Sequence, residues 1–214
     1  MKLAIIITTY NRFDLLKDCV RTLVASNIPA GTEFIIVDDA SAENPKAVLQ
    51  PLIEKFYCDP WLLDRQNGVA SNLKLGFDVA VNRHADLLCN LDPDTVVKPN
   101  WLDRLFDLHK RFPDKIVTGF NTLSGGRHKI FFEGADYILK KTIGGINMLF
   151  DVDMYKQQVR TILQGDSWDW DLCYNMQRIH KMFVVTKPSV IQHTGTQDGL
   201  HVGPGIIPDT AEDF

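Results

Sequence analysis

Cysteine is sparse in this 214-residue chain: Cys19, Cys58, Cys89 and Cys173 stand far apart, with no C-x-x-C and no histidine pair at zinc spacing. That argues against a disulfide framework and a structural zinc site. Cys19 and Cys89 fall where burial is expected, and a thiol there serves as a small apolar side chain. Long apolar runs are also missing. Ile5–Ile7 and Leu87–Leu88 fall far short of the roughly 20 residues that cross a bilayer, and the N-terminus has no signal-peptide pattern, so no transmembrane segment and a cytosolic location are expected. Positive charge is not in excess. A formal net charge of -4 leaves no basic footprint for nucleic acid or an anionic membrane, and any phosphate contact must be local. Glycine is lacking where two common nucleotide folds need it. Neither G-x-G-x-x-G nor G-x-x-x-x-G-K-[ST] follows the first apolar segment, where TTYNR stands instead, and both classes are disfavoured.

What the chain does have is a regular α/β beat. Lys2–Thr8 and Glu33–Asp38 are apolar, β-branched runs without polar alternation, as expected of strands covered on both faces. Between them Leu15, Leu16, Cys19, Val20, Leu23 and Val24 recur at helical spacing, with Asn11 and Asp14 placed as a capping box. Further helices are predicted over Pro45–Phe56, Val69–Arg83 and Asn100–Phe112, the last burying Trp101, Leu105, Phe106 and Leu108. Strands are predicted at Trp61–Leu63, Asp86–Leu91 and Ile116–Phe120. Residues 121–150 carry Gly125, Gly126, Gly134, Gly144 and Gly145 among short apolar pieces, which reads as hairpins. Helices over Tyr155–Leu163 and Asp169–Met182, and extended pieces at Phe183–Thr186 and Val190–Gln192, follow.

Chemistry gathers where the strands end. LLCNLDPDT (87–95) is an apolar run closing on Asp92 and Asp94, two carboxylates close enough to share one hard divalent cation, Mn²⁺ or Mg²⁺, and through it a phosphate. A plain Asp-Pro turn is the bland alternative. In an open α/β sheet, ligands bind outside the carboxyl ends of the strands. Thr8–Asn11, Asp38–Asp39 and Asp92–Asp94 occupy three such ends and are expected to meet in one crevice.

ITTYNR (7–12), IIVDDAS (35–41), NGVASNLKLGFDVA (67–80), LDPD (91–94), GGINMLFD (144–151) and WDWDL (168–172) resemble, in this order, the family 2 glycosyltransferases of the GT-A type. The resemblance covers nearly the whole chain. It implies a Rossmann-like α/β fold of the nucleotide-diphospho-sugar transferase class, an open, mostly parallel sheet with helices on both faces. One domain over 1–202 is expected, with a nucleotide-binding half (1–120) and an acceptor-binding half (121–202). Residues 203–214 are expected to be a tail, or a linker to domains fused beyond residue 214.

The resemblance also implies roles. Thr8 and Tyr10 fall where the family contacts the base, and Asp39 where a carboxylate accepts the N3 hydrogen of uracil, which favours a UDP-sugar donor. Asp38 reads better as a strand-end cap, and Tyr10 has a core aromatic as its alternative. Asn67 to Asn72 would line the ribose and diphosphate, with Gly68 allowing close backbone approach and a helix N-terminus facing the negative charge. The family often carries Arg where this chain has Ala70 and Ser71, leaving Arg65 or Lys74 as replacement cations. Asp94, Asp92 (shared with the ribose) and His193 are the implied metal ligands. Asp169 aligns with the general base of inverting transfer to an acceptor hydroxyl, on a glycan or another molecule. A helix N-cap is its alternative. Trp168 stands where the family commonly has Glu. Being two apart, Trp168 and Trp170 cannot share a helix face; one should pack inward while the other lines the acceptor site, beside Gly144 and Gly145.

Two other classes compete. LDPDTVV fits the D-x-D-x-[TV] pattern of haloacid-dehalogenase-type phosphohydrolases, with Gly165, Asp166 and Asp171 as a further motif, but that pattern belongs on a first strand and leaves TTYNR and VDDAS unexplained. A nucleotide-sugar-binding module without turnover is the other.

Overall fold

Strand β1 (Leu3–Thr9) is buried over its whole length, and its alternate residues serve opposite faces of one sheet. Leu3, Ile5 and Ile7 enter one core cluster, Ala4 and Ile6 the other. The structure is a computed structural model and describes residues 1–123, 126–195 and 209–214; Gly125 and residues 203–208 of the expected tail lie outside the described residues. β1 pairs in parallel with β2 (Glu33–Asp38) on one side, Thr9 opposite Asp38, and with β4 (Leu87–Leu91) on the other. β3 (Tyr57–Leu62) extends the parallel set beyond β2. The sheet then continues through β9 (Asn147–Asp151), β6 (Val117–Thr118), β10 (Phe183–Thr186), β8 (Tyr137–Lys140) and β7 (Ile130–Glu133), in the order β3-β2-β1-β4-β9-β6-β10-β8-β7.

Helices cover both faces. On one, α1 (Phe13–Ala25), α2 (Lys46–Lys55) and α4 (Trp101–Arg111) supply Leu16, Leu49, Trp101 and Leu105 to the core. On the other, α3 (Val69–Asn82) and α6 (Trp168–Arg178) contribute Leu73, Phe77, Leu172 and Met176. Asn147, fully buried, stitches the middle strands. It donates to the Asn90 carbonyl at 2.8 Å and accepts from the Gly119 amide at 3.0 Å. The four cysteines are free, and burial pushes the Cys19 and Cys89 thiols up to about 12, which suits inert core residues. No helix among the described residues is long and apolar enough to cross a membrane.

Several expectations are corrected. A second small sheet joins β5 (Thr95–Val97) to β11 (Ile191–His193), antiparallel, with Thr95 opposite His193; no strand is predicted from the sequence at Thr95–Val97. The Asn11–Asp14 capping box does not form, because α1 starts behind Arg12, whose backbone is left-handed, and Asn11 bonds elsewhere. The helix expected over Tyr155–Leu163 is a short α-helical turn α5 (Val152–Met154), capped by the Asp151 carboxylate at 2.6 Å, running into a π-helical turn over Tyr155–Val159. The helix expected to Met182 stops at Arg178, and His180 takes a left-handed φ of 56°. Residues 209–214 are docked. Ala211 joins the core cluster, and the Asp213 carboxylate accepts from the Ser189 amide at 3.1 Å.

Gly76 on α3 lies against β1, where an added Cβ would come within 2.6 Å of Ile6 Cγ2. Gly76→Ala should therefore destabilise the fold, since overpacking costs roughly 1–3 kcal/mol and outweighs the helix-propensity gain of about 1 kcal/mol. Urea unfolding should show a lower midpoint at unchanged slope; a midpoint raised by the substitution would refute the close approach.

Candidate active site

The first two strand-end loops are bolted together. The Asn11 amide donates to Ser41 Oγ at 2.7 Å, its side-chain oxygen accepts from the Ala42 amide at 3.0 Å, and the Asp39 amide donates to the Thr9 carbonyl at 2.8 Å. These bonds hold Asn11 and Arg12 at φ 52° and 53°, a conformation non-glycine residues adopt only where surroundings enforce it. Asp38 is the cap it was expected to be, its carboxylate accepting from the Ser41 amide and hydroxyl. Asp39 faces the third loop. Its two oxygens accept from the Asn67 amide at 2.7 Å and the Gly68 amide at 3.1 Å, and each keeps capacity for another donor. Tyr10 is 46% exposed, so it is no core aromatic, while Thr8 and Thr9 are buried. Gly68, at φ 80°, is the N-cap of α3. One turn on, Asn72 is 1% exposed. Both its amide oxygen and nitrogen lack a partner, as does Thr9 Oγ1. Unpaired buried polar atoms cost about 1–3 kcal/mol each and mark places where a ligand would complete the bonding.

Asp92 and Asp94 follow β4 in a turn closed by Thr95 Oγ1 on the Asp92 carbonyl at 2.8 Å. The β5–β11 pairing carries His193 to the same turn, with its Nε2 3.2 Å from Asp94 Oδ2. Thr194 fastens it through its amide and hydroxyl, both 2.8 Å from the Asp94 carbonyl. Arg12 Nη1 reaches the same Asp94 oxygen at 2.9 Å. Burial would raise the Asp94 carboxyl, but the hydrogen bond from His193 and the charges of His193 and Arg12 prevail and hold it below the ordinary range. Burial would lower the imidazole of His193, yet its bond to Asp94 raises it above the usual value. Asp92 moves the other way. Burial, then the neighbouring charges of Asp94 and Asp169, push its carboxyl well up, against the pull of His193 and Arg12.

The opposing wall comes from α6. Trp168 packs inward against Gly145, where a Cβ would lie 2.6 Å from the indole ring and 3.3 Å from Asp169 Cβ. Gly145 is tied to β4 by the Asn90 side-chain amide, 2.6 Å from its carbonyl. Gly144 is roomier, with Asp209 Oδ2 at 3.6 Å from such a Cβ. Trp170 is half-buried and stacked on His128 at 5.2 Å between ring centroids and 20° between planes. Asp169 accepts from the Trp170 amide at 2.9 Å, and the N-cap of α6 is Ser167. Arg65, proposed as a substitute cation, is exposed, and the charge of Lys74 is felt at Asp78, which is bonded to Tyr155 and Arg160.

Among the described residues, no three His, Cys, Asp or Glu side chains are gathered tightly enough to hold a metal ion. The donors nonetheless suit one in kind: two carboxylates, and an imidazole whose Nδ1 sits 2.9 Å from the Asp209 carbonyl, the arrangement that aims Nε2 of a ligating histidine. Arg12, Gly195 and Asp209 escaped the reading of the sequence. Arg12 was visible only as the last letter of TTYNR. Gly195 lies so close that a Cβ would overlap Asp94 Oδ2 and the Arg12 guanidinium, and nothing in HTGT signals that approach.

An open α/β sheet with polar residues at three adjacent parallel strand ends, acidic at two of them, and an acid-bearing helix opposite is the GT-A glycosyltransferase fold. The chain belongs to glycosyl transferase family 2, whose sequence model matches residues 4–160. A crystal structure of S. aureus TarS 1–349 in complex with UDP-GlcNAc aligns with a TM-score of 0.74 at 14% identity, over 93% of this chain and 60% of that one. A second TarS 1–349 structure gives 0.69 at 13% identity, over 91% and 60%. An uncharacterized glycosyltransferase, the MG060 homolog of Mycoplasma pneumoniae, is 31% identical over 111 residues, half of this chain and 36% of that protein. The chain thus spans about a third of that relative's length. Family membership displaces the phosphohydrolase reading. The aspartate pair follows β4 rather than β1, and Gly165, Asp166 and Asp171 are exposed.

The Asp94–His193 pair gives stability a pH signature. With His193 raised, its share is complete below the ordinary imidazole value of 6.5 and fades as pH climbs through the raised one. With Asp94 lowered, its share is present above 3.8 and fades as pH falls through the lowered value. Chemical unfolding in EDTA should therefore separate the native chain from His193→Gln most between about pH 4 and 6.5, with the gap closing at higher pH. A gap that stays constant from about pH 5 to 9 would show that the pair is not ionic.

Proposed function

We propose that the chain transfers a sugar from a UDP-sugar donor to an acceptor hydroxyl on a glycan or another molecule, with inversion. The observation that carries this is the tie between the two walls: Asn90, two residues before Asp92, donates to the Gly145 carbonyl at 2.6 Å, and a Cβ on Gly145 would lie 3.3 Å from Asp169 Cβ. That supports one crevice for the aspartate pair and the acid on α6, as transfer between a diphosphate and a hydroxyl requires. The UDP-GlcNAc held by TarS, a protein with this fold, supports the choice of donor class.

In this reading Asp39 accepts the N3 hydrogen of uracil while its other lone pairs keep the Asn67 and Gly68 amides in place. Thr8 and the exposed ring of Tyr10 border the base, and Asn67 and Asn72 run alongside the ribose and diphosphate, where the unpaired amide of Asn72 gains its partners. Asp92, Asp94 and His193 would hold Mn²⁺ or Mg²⁺, and the ion would offset the charge that builds on the departing diphosphate. Asp169 takes the proton of the attacking hydroxyl. Trp170 offers an aromatic face to the acceptor sugar, and Trp168 with Gly144 and Gly145 backs the wall. Residues 1–120 serve the donor and 121–202 the acceptor.

Screening nucleotide sugars for hydrolysis with Mn²⁺ identifies the donor. Asp169→Asn should then lower turnover about 100-fold or more with UDP affinity nearly unchanged; undiminished turnover would remove Asp169 from the mechanism. Asp94→Ala should abolish the dependence of UDP binding on Mn²⁺. A native chain that binds UDP-sugars but turns over none of them would favour the non-catalytic module.

A further inference from the structure

Arg12 is built into the crevice in a way that holding Asp94 does not explain. Its Nη1 donates to Asp94 Oδ2 at 2.9 Å, while its Nε and Nη2 are buried and have no partner. Those two nitrogens form the side-on fork of a guanidinium, the edge that grips two oxygens of one oxyanion. The same molecule shows the fork in use: Arg160 holds both oxygens of Asp78 through Nε and Nη2, at 2.8 and 2.9 Å. On Arg12 the edge carries no such load. The backbone is also committed to this placement. Asn11 and Arg12 are both left-handed, and the bonds from Asn11 to Ser41 and Ala42 hold the loop in that shape. At the rim, Gly195 brings backbone rather than a side chain up to Nη2. A permanently charged group with two unpaired donors, beside the aspartate pair and one residue from the exposed Tyr10–Asn11 step, fits an oxyanion.

We infer that Arg12 is a binding residue for the diphosphate of the donor nucleotide, gripping phosphate oxygens with its Nε–Nη2 edge while Nη1 stays on Asp94. This rests on the UDP-sugar reading above and adds the residue that recognises the phosphates.

The test compares UDP, uridine and inorganic pyrophosphate, each titrated by calorimetry with Mn²⁺ present and again in EDTA against the native chain, Arg12→Ala and Arg12→Lys. Arg12→Ala should weaken UDP and pyrophosphate about tenfold or more, the scale of one charge-assisted hydrogen bond, and leave uridine within twofold. Arg12→Lys keeps the charge without the fork and should lie between the two; it decides the matter if Arg12→Ala does not fold, as thermal melting will reveal. Equal losses for uridine and UDP would reduce Arg12 to a structural prop and overturn the assignment, as would UDP affinity unchanged in both variants. A native chain that binds neither UDP nor uridine would overturn the nucleotide reading itself, and the role of Arg12 with it.

Discussion

One carboxylate oxygen organises the crevice. Asp94 Oδ2 receives Arg12 from the loop after β1 and His193 from β11, so segments distant in the chain are tied at a single negative atom. An isolated carboxylate buried there would be driven neutral. Two cationic donors keep it ionised, and the backbone of Thr194 fixes the turn that presents it. Asp92, two residues away, lacks such partners and is pushed the opposite way. Two like groups in one turn are therefore shifted in opposite directions, set by which elements reach them.

The fold supplies this arrangement at little cost to its core. β1, β2 and β4 run side by side in parallel, so their carboxyl ends open at one edge of the sheet. In β1, β2 and β4 mostly apolar residues fill the strands, and polar ones gather at the carboxyl ends. Asn90 and Asn147 are exceptions inside the sheet, and both are hydrogen-bonded to backbone. Unpaired buried atoms at Thr9, Arg12 and Asn72 lie at the strand-end edge and at the start of α3, while others, at Glu33, Arg83, His109, Asn121 and Thr186, lie outside the crevice.

Much of this was legible from residue order alone. Apolar runs at Lys2–Thr8, Glu33–Asp38 and Asp86–Leu91 announced buried strands, and the polar residues after them announced a shared edge. The spacing of Trp168 and Trp170 foretold different surroundings for the two indoles, one against Gly145 and the other on His128. The reading failed where long-range contacts decide local form. Thr95–Val97 is too short to declare itself a strand until Ile191–His193 arrives to pair with it. Asn11 looks like a helix cap in isolation, but Ser41 and Ala42 claim its hydrogen bonds. Arg12 gives no sign in sequence that its charge turns toward Asp94, because that depends on two consecutive left-handed residues. Tyr155–Val159 widens into a π-helical turn while its buried Tyr155 reaches Asp78, a preference no periodicity encodes.

The docking of the final six residues has its own consequence. The carbonyl of Asp209 meets His193 Nδ1, and Ala211 exchanges two hydrogen bonds with the Gln192 side chain. Buried Lys140, drawn down to about 8 by its surroundings, feels the acids of the same stretch. The imidazole of His193 is thus aimed by residues 209–214. A variant in which this stretch is removed or pulled away would keep Asp92, Asp94, His193 and Asp169 and still lose the contact that orients one of them.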